Sequence, residues 1–513
     1  MGSAMQQLLT SDHPLPEHVG TVIVGSGFAG LCTAIKLDEA GRGDYLILER
    51  GDDVGGTWRD NSYPGCACDI PSHLYSFSFS PNPDWLHSFS RQPQILDYLR
   101  GIARDYGVLP HVRLRTAMTA AHWDDATSRW TIETERGSLT ADRLISAMGP
   151  LSAPSIPVIP GIENFAGTTF HSAGWNHDHD LTGERVAVIG TGASAIQFVP
   201  YVQQAAGQMT LYQRTAPWVL PRRDRRYARW ERRLNRVLPA VQRAIRTQMY
   251  LFREFVFIGF RKPNILAKVE RVGMRHMHKQ VSDPALRAKL TPNFRLGCKR
   301  VLASNDYYPA LTADNAEVIT DSIVEVLPHA IVTEAPDGSR TEHPTDTIIF
   351  GTGFRVTEPP AAEMIWGSGG HRLADVWSAQ GMSALRGLTI AGFPNLYFLV
   401  GPNTGLGHNS IVLMIEAQVR YLVDLLSKAD RGGLAVVEAR PAVQASYNAM
   451  IQRSLQGTVW DVGGCKSWYL DKEGRNTTLW PTFTFTFMKQ LRQADLAEYD
   501  VRPAERPTST VPA

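Results

Sequence analysis

Short β-branched runs that end on glycine and give way to helical periodicity occur twice along this chain. The first is Thr21-Val22-Ile23-Val24, whose unbroken apolar character predicts a strand buried on both faces. It runs into Gly25-Ser26-Gly27-Phe28-Ala29-Gly30, a helical stretch to about Ala40, and a second strand, Tyr45-Leu46-Ile47-Leu48-Glu49. Gly25, Gly27 and Gly30 permit a tight turn and close backbone approach, so a pyrophosphate can rest on the helix N-terminus. Glu49 ends the second strand where an acid can accept hydrogen bonds from ribose hydroxyls. The pattern returns as the strand Arg185-Val186-Ala187-Val188-Ile189, the turn Gly190-Thr191-Gly192-Ala193-Ser194-Ala195, a helix, and the strand Met209 to Gln213. This copy ends at Arg214-Thr215 instead of an acid. An acid there would repel a ribose 2′-phosphate, whereas arginine binds it. The contrast predicts FAD at the first turn and NADPH at the second, in an α/β chain with two Rossmann-like dinucleotide-binding domains.

Between and after these copies the pattern changes. Gln94 to about Tyr106 carries Ile95, Leu96, Leu99 and Ile102 on one side and predicts an amphipathic helix. Alternation through Val112, Trp123 and Trp130-Thr131-Ile132 predicts a β-meander, and Leu144 to Gly149 a return to the first sheet. The proline-rich segment Ala153 to Pro160 marks a linker. From about Arg222 to Leu290 the pattern is helical, with an arginine run from Arg222 through Arg236 that reads first as a solvated helix face and second as a phosphate- or membrane-contacting patch. The apolar run within Gly392 to Pro402 predicts a core strand that returns the chain to the FAD domain, and a long helix is expected from about Ile411. The resulting division is 18–152 and 356–501 for the FAD-binding domain, 153–355 for the NADP-binding domain with a helical insertion at about 222–290, and a flexible Pro- and Thr-rich tail over 502–513.

Composition narrows the function classes. At 513 residues, 43% hydrophobic and 20% charged, the chain is globular and long enough for two or three domains. A net charge of +2 gives no global basic surface, so nucleic acid is not an expected partner. Five cysteines make no disulfide framework, and their odd number fits a reducing cytoplasm. No apolar run reaches membrane-spanning length; Met249 to Phe260 is interrupted by Arg253 and Glu254, and the N-terminus lacks a secretory signal design. Asn176-His177-Asp178-His179-Asp180 reads as a solvated loop, so no metal site is expected. Cys66 and Cys68, spaced C-x-C, read as packing residues.

Several loops carry residues that local pattern leaves ambiguous. Phe165-Ala166-Gly167-Thr168-Thr169-Phe170-His171-Ser172-Ala173-Gly174-Trp175 lies between the two glycine turns. Gly55-Gly56-Thr57-Trp58 and Tyr63-Pro64-Gly65-Cys66-Ala67-Cys68-Asp69 follow the first, and on chemistry alone Asp69 would be a turn residue. Gly297-Cys298-Lys299-Arg300, with Asp306-Tyr307-Tyr308 beyond it, would be two surface cations. His408 would be a helix-start residue or a base, and Trp468 in Cys465-Lys466-Ser467-Trp468-Tyr469 a packing residue. Taken together, the spacing F-x-G-x-x-x-H-x-x-x-W between two dinucleotide turns, G-G-T-W, Y-P-G-x-x-C-D, G-x-K-R and S-W-Y resembles the type I Baeyer–Villiger monooxygenases from about Val22 to Tyr469. Asn176 departs from the Pro or Asp that usually closes the first of these motifs.

The resemblance implies an FAD- and NADPH-dependent enzyme that inserts one oxygen atom of O2 beside a ketone carbonyl, giving an ester or lactone through a C4a-peroxyflavin. It implies that Gly56, Thr57, Trp58, Asp69 and Tyr75 lie on the flavin side, and that Thr191, Ala193, Ser194, Arg214, Thr215, Lys299 and Trp468 belong to the NADP side. Arg300 would supply positive charge to the peroxide and the tetrahedral adduct, Asp69 would position that guanidinium, and His171 would couple nucleotide binding to domain motion. Two rival readings share these cofactors: a flavin-containing N- or S-monooxygenase, and an FAD- and NADP-binding sensor without turnover. The ketone and the oligomeric state are not written in these motifs.

Overall fold

A computed structural model describes residues 14–504. The first glycine-punctuated pattern forms strand β1 (His18–Val24), helix α1 (Phe28–Glu39) and strand β2 (Tyr45–Leu48), with β1 and β2 parallel and Thr21 opposite Tyr45. Val22, Ile23 and Ile47 are fully buried, as a strand covered on both faces requires. Helix α2 (Gln92–Asp105) follows, burying Ile95, Leu96, Leu99 and Ile102 as its periodicity predicts. Strand β3 (Val112–Arg113) adds to β2 in parallel, and β4 (Met118–Asp124), β5 (Arg129–Thr134) and β6 (Gly137–Ser146) form the antiparallel meander. The return predicted at Leu144 is the far end of β6, which runs past β5 and continues beside β1 in parallel.

The second pattern builds a separate sheet. Its strands are β7 (Thr168–His171), β8 (Arg185–Ile189), β9 (Gln208–Tyr212), β10 (Ala316–Ile319) and β11 (Thr347–Phe350), in the order β10–β9–β8–β11–β7 and all parallel. Helix α3 (Ala195–Ala205) connects β8 to β9. The F-x-G-x-x-x-H segment is thus not a free connector: β7 is an edge strand, with His171 opposite Phe350. From Arg229 to Leu290 the chain folds into four successive helices, α4 (Arg229–Val237), α5 (Pro239–Arg261), α6 (Pro263–Gln280) and α7 (Pro284–Leu290). Each of the last three begins on proline, which tolerates the first helical position because its N–H has no partner there.

The chain then returns to the first sheet. Strand β12 (Leu396–Phe398) pairs in parallel with Leu144–Ser146, the part of β6 that β5 leaves free. Helix α8 (Ile411–Arg431) packs along α1, capped by the Ser410 hydroxyl, which accepts from the Val412 amide at 3.3 Å. Strands β13 (Leu434–Ala439) and β14 (Tyr499–Pro503) form an antiparallel pair. Strand β14 carries order into the start of the segment expected to be a flexible tail; the remainder of that tail, 505–513, lies outside the described residues, as do residues 1–13. Among the described residues, no helix is long and apolar enough to cross a membrane.

The cysteines depart from expectation. Cys298 and Cys465 form a disulfide across a sequence separation of 167. Spacing along the chain cannot reveal such a pair, because only the fold brings the loop before Lys299 against the loop before Trp468. The Arg295 amide also donates to the Gly463 carbonyl at 3.0 Å, so the two loops are joined by backbone as well as sulfur. Cys66 and Cys68 are buried free thiols, as packing residues would be, and burial pushes the Cys66 thiol up to about 12.

Candidate active site

The first glycine turn is built by close backbone contact. Gly25 has φ 105°, and a Cβ at Gly30 would stand 1.9 Å from the Gly25 carbonyl oxygen, so neither position accepts a side chain without movement. Gly55 and Gly56 also take positive φ, 122° and 52°, and the Gly55 amide donates to the Ser26 carbonyl at 3.0 Å. This lays the G-G-T-W loop against the turn: a Cβ on Gly56 would meet the Gly27 Cα at 3.1 Å. Thr57 begins a single helical turn, and the Trp58 indole N–H donates to the Tyr75 hydroxyl at 3.1 Å. These residues therefore line one glycine cradle of the kind a dinucleotide pyrophosphate occupies.

Glu49 stands beside that cradle with its carboxylate already engaged. Its Oε2 accepts from the Ser26 amide at 2.9 Å and the Ser26 hydroxyl at 2.6 Å; its Oε1 accepts from the Gly51 amide at 2.8 Å and pairs with Arg59 at 2.7 Å. Burial pushes its carboxyl up, but Arg59 and these hydrogen bonds more than reverse that and hold it below the usual range. The expected ribose contact requires one of these partners to yield, with Ser26 and Arg59 the nearest.

The second cradle has the same construction. Gly190 has φ 110° and packs on Gly351, where an added Cβ would lie 2.5 Å from the carbonyl oxygen, while Gly192, at its nearest 3.8 Å from that oxygen, leaves the turn open. Ala193 and Ser194 follow and α3 starts at Ala195. The Thr191 hydroxyl donates to the Thr215 carbonyl at 3.2 Å, tying the turn to the end of β9. Exposed Arg214 lies there, and half-buried Lys299 comes to it from the G-x-K-R loop. Burial and then the positive charge of Arg214 push the Lys299 ammonium down, so the two cations converge. Neither guanidinium nor ammonium has a carboxylate partner among the described residues. A phosphate is the chemistry that such a pair accepts.

Between the cradles, Asp69 and Arg300 meet in a two-pronged ion pair. The Arg300 Nε donates to Oδ2 and its Nη2 to Oδ1, both at 2.8 Å, while Nη1 donates to the Leu406 carbonyl at 2.9 Å. Burial pushes the Asp69 carboxyl up and the Arg300 guanidinium down, but their mutual attraction overrides both, lowering Asp69 and raising Arg300. Deep as the pair is, it lines an open cleft: 23% of the Arg300 side chain and 37% of Asp69 remain accessible. Tyr469 lies buried near the pair, its hydroxyl pushed up to about 12 by burial.

Two further cations reach this carboxylate that sequence reading placed elsewhere. Arg222, read as part of a solvated run, is half-buried, and its Nη2 donates to the Cys68 carbonyl at 3.3 Å beside Asp69. Arg253 on α5, which in the sequence only interrupts an apolar run, brings its charge within electrostatic reach of both Asp69 and Arg300. The signal that could have found Arg253 is its spacing from buried Phe257 and Phe260, which share its side of the helix. The remaining predicted residues stand apart. His171 packs its ring on Phe354 at 5.7 Å and accepts from the Ala173 amide at Nδ1; burial pushes its pKa down, and it does not touch Asp69 or Arg300. Trp468 is exposed and contacts Tyr469, ring to ring, at 4.3 Å. His408 is fully buried against Phe257 and pairs with Glu254 at 3.5 Å.

The profile of the family described as flavin-binding monooxygenase-like matches residues 19–368. A Baeyer–Villiger monooxygenase of Streptomyces coelicolor is 51% identical over 95% of this chain and 94% of its own length. One from Pseudomonas aeruginosa is 48% identical over 96% and 94%. Among solved structures, an oxidised steroid monooxygenase bound to NADP superposes with a TM-score of 0.84 at 28% identity, covering 95% of this chain and 100% of its own. OTEMO in complex with FAD and NADP gives 0.84 at 26% identity over 94% and 99%. The chain belongs to the flavin-binding monooxygenase-like family, among its Baeyer–Villiger monooxygenases.

Proposed function

We propose that the cleft lined by Asp69 and Arg300 is where this enzyme inserts oxygen beside a ketone carbonyl, giving an ester or lactone. The observation that carries the assignment is the donor count of Arg300. A guanidinium has five N–H donors, and three are spent on Asp69 and Leu406. One on Nη1 and one on Nη2 are left to meet an oxygen in the cleft.

FAD held at the first cradle would, once reduced by NADPH, supply the electrons that activate O2, one oxygen atom going to the ketone and the other to water. Gly25, Gly27 and Gly30 leave backbone room for its pyrophosphate, and Gly56, Thr57, Trp58 and Tyr75 form the wall beside it. Gly190 and Gly192 do the same for NADPH, whose 2′-phosphate falls to Arg214 and Lys299. Arg300 does not titrate in the working range, so its two remaining donors offer fixed positive charge to a carbonyl oxygen that becomes negative during attack. Asp69 holds the guanidinium plane in one orientation through both prongs, so no reorganisation is needed as charge develops. Arg222 and Arg253 leave the cleft with more positive than negative charge, which favours anionic oxygen there.

The Arg300→Lys variant tests the assignment. Lysine keeps the charge but not the fork, so NADPH should still reduce the bound flavin while ester formation from a ketone panel under ¹⁸O2 falls by about a hundredfold or more. A variant that forms labelled ester at the parent rate would remove Arg300 from the chemistry.

A further inference from the structure

Helix α5 has two opposed faces. Successive residues advance by about 100° around a helix, and Gln242, Glu254, Phe257 and Phe260 fall on one side and are buried. Gln242 donates to the Asn82 carbonyl at 2.6 Å, the Asn409 side-chain Nδ2 donates to Glu254 at 2.8 Å, and the Phe257 ring lies tilted against His408 at 4.5 Å. Arg253, in reach of Asp69 and Arg300, belongs to this inner side. The outer side carries Leu251, Phe252 and Phe255, which are 59%, 63% and 69% exposed. Soluble surfaces scatter such side chains singly; three on adjacent turns need a reason.

The same helices carry a strong local excess of positive charge. Residues 222–290 contain nineteen Arg and Lys against five Asp and Glu, a net +14 in a chain whose total is +2. Arg229, Arg233 and Arg236 are exposed on α4 beside Trp230, Val237 and Leu238, which are 68%, 66% and 50% exposed. Arg261 at the end of α5, with Lys262 and Ile265 just beyond it, continues the pattern. Of the four acids in this segment other than Asp283, none is exposed. Half of the sixteen large apolar side chains exposed among the described residues come from this one segment, which makes the patch a property of these helices and not of the surface at large.

We propose that helices α4 and α5 dock the enzyme on an anionic phospholipid surface. Exposed aromatic and aliphatic side chains among arginines are the composition of a helix that lies in a headgroup layer, with the cations on lipid phosphates and the apolar groups beneath them. A nucleic acid would be met by cations and stacking rings, but Leu251, Val237, Leu238 and Ile265 offer it nothing. The inner face of α5 lies at the oxygenation cleft, about one helix diameter, ~10 Å, from the docking face. Apolar ketones held in a bilayer would therefore concentrate near the cleft. That consequence rests on the assignment of the cleft to Asp69 and Arg300; the docking does not.

The test uses the FAD-loaded enzyme and sedimentation with vesicles of phosphatidylcholine, alone or mixed with phosphatidylglycerol. Binding should be about tenfold stronger to the anionic vesicles, should weaken as salt is raised, and should be lost in the double variant Phe252→Ser, Phe255→Ser. That variant should retain parent turnover of a water-soluble ketone, which separates loss of docking from loss of fold or of the cleft. Failure to sediment with anionic vesicles, or equal sedimentation of the double variant, overturns the proposal. So does light scattering that finds a dimer abolished by the double variant with no vesicle binding, since the face would then belong to a second copy of the chain.

Discussion

Burial alone would lift the Asp69 carboxyl above its ordinary range, and the Arg300 guanidinium more than reverses that. The direction fixes the pH behaviour of the pair. With the folded value below the unfolded one of about 3.9, the unfolded chain takes up the proton first as pH falls. The pair's contribution is therefore complete above about pH 4 and is lost as pH drops through the folded value. The difference in thermal midpoint between the parent and Asp69→Asn should stay constant from neutral pH to about 5 and shrink below about 4. Its size should fall short of the ~3–5 kcal/mol that breaking a dry ion pair costs, because 37% of Asp69 faces the cleft and water screens the charge left on Arg300. Both residues could be named from short motifs, since Y-P-G-x-x-C-D and G-x-K-R are contiguous in sequence. Arg222 and Arg253 could not, because whether a helical or loop arginine points in or out is settled by what the element docks against.

At the level of elements, the β–turn–helix–β units were the most legible part of the chain. Their strands are apolar throughout, their turns are marked by glycine, and their pairing is local, so Tyr45 falls opposite Thr21 with one helix between them. Strand β7 was not legible for the opposite reason: its only partner among the described residues is β11, far along the chain, and Thr-Thr-Phe-His alone does not distinguish an edge strand from a loop. The tightness of the first unit has a measurable consequence. A methyl group at position 30 would meet the Gly25 carbonyl oxygen at 1.9 Å, and neither atom can retreat, since one is on the turn and the other begins a buried helix. Gly30→Ala should therefore open the cradle, at a cost of about 1–3 kcal/mol. It should purify with a lower flavin-to-protein absorbance ratio than the parent; full FAD content would show that the turn is not the pyrophosphate seat.

Across the whole molecule, the Cys298–Cys465 bond ties the G-x-K-R loop to the loop that carries Trp468 and Tyr469. A link that spans 167 residues restricts the unfolded chain more than the folded one, by as much as ~5 kcal/mol in the loop-entropy limit. A non-thiol reductant should lower the thermal midpoint of the parent, while Cys465→Ser should start at the lower value and no longer respond. Equal midpoints with and without reductant would show that the two loops hold together without sulfur. A count of five cysteines cannot reveal this pair, because a count carries no distance.

Strand β6 has a consequence for biosynthesis. Its first half zips against β5 a few residues after the turn, but Leu144–Ser146 waits for Leu396–Phe398. The ribosome must add about 250 residues in the interval, some tens of seconds at ordinary elongation rates. Throughout that time the nascent first sheet presents an unpaired apolar edge at Leu144–Ser146, a defined place for chaperones to act, and β12 is the strand that covers it.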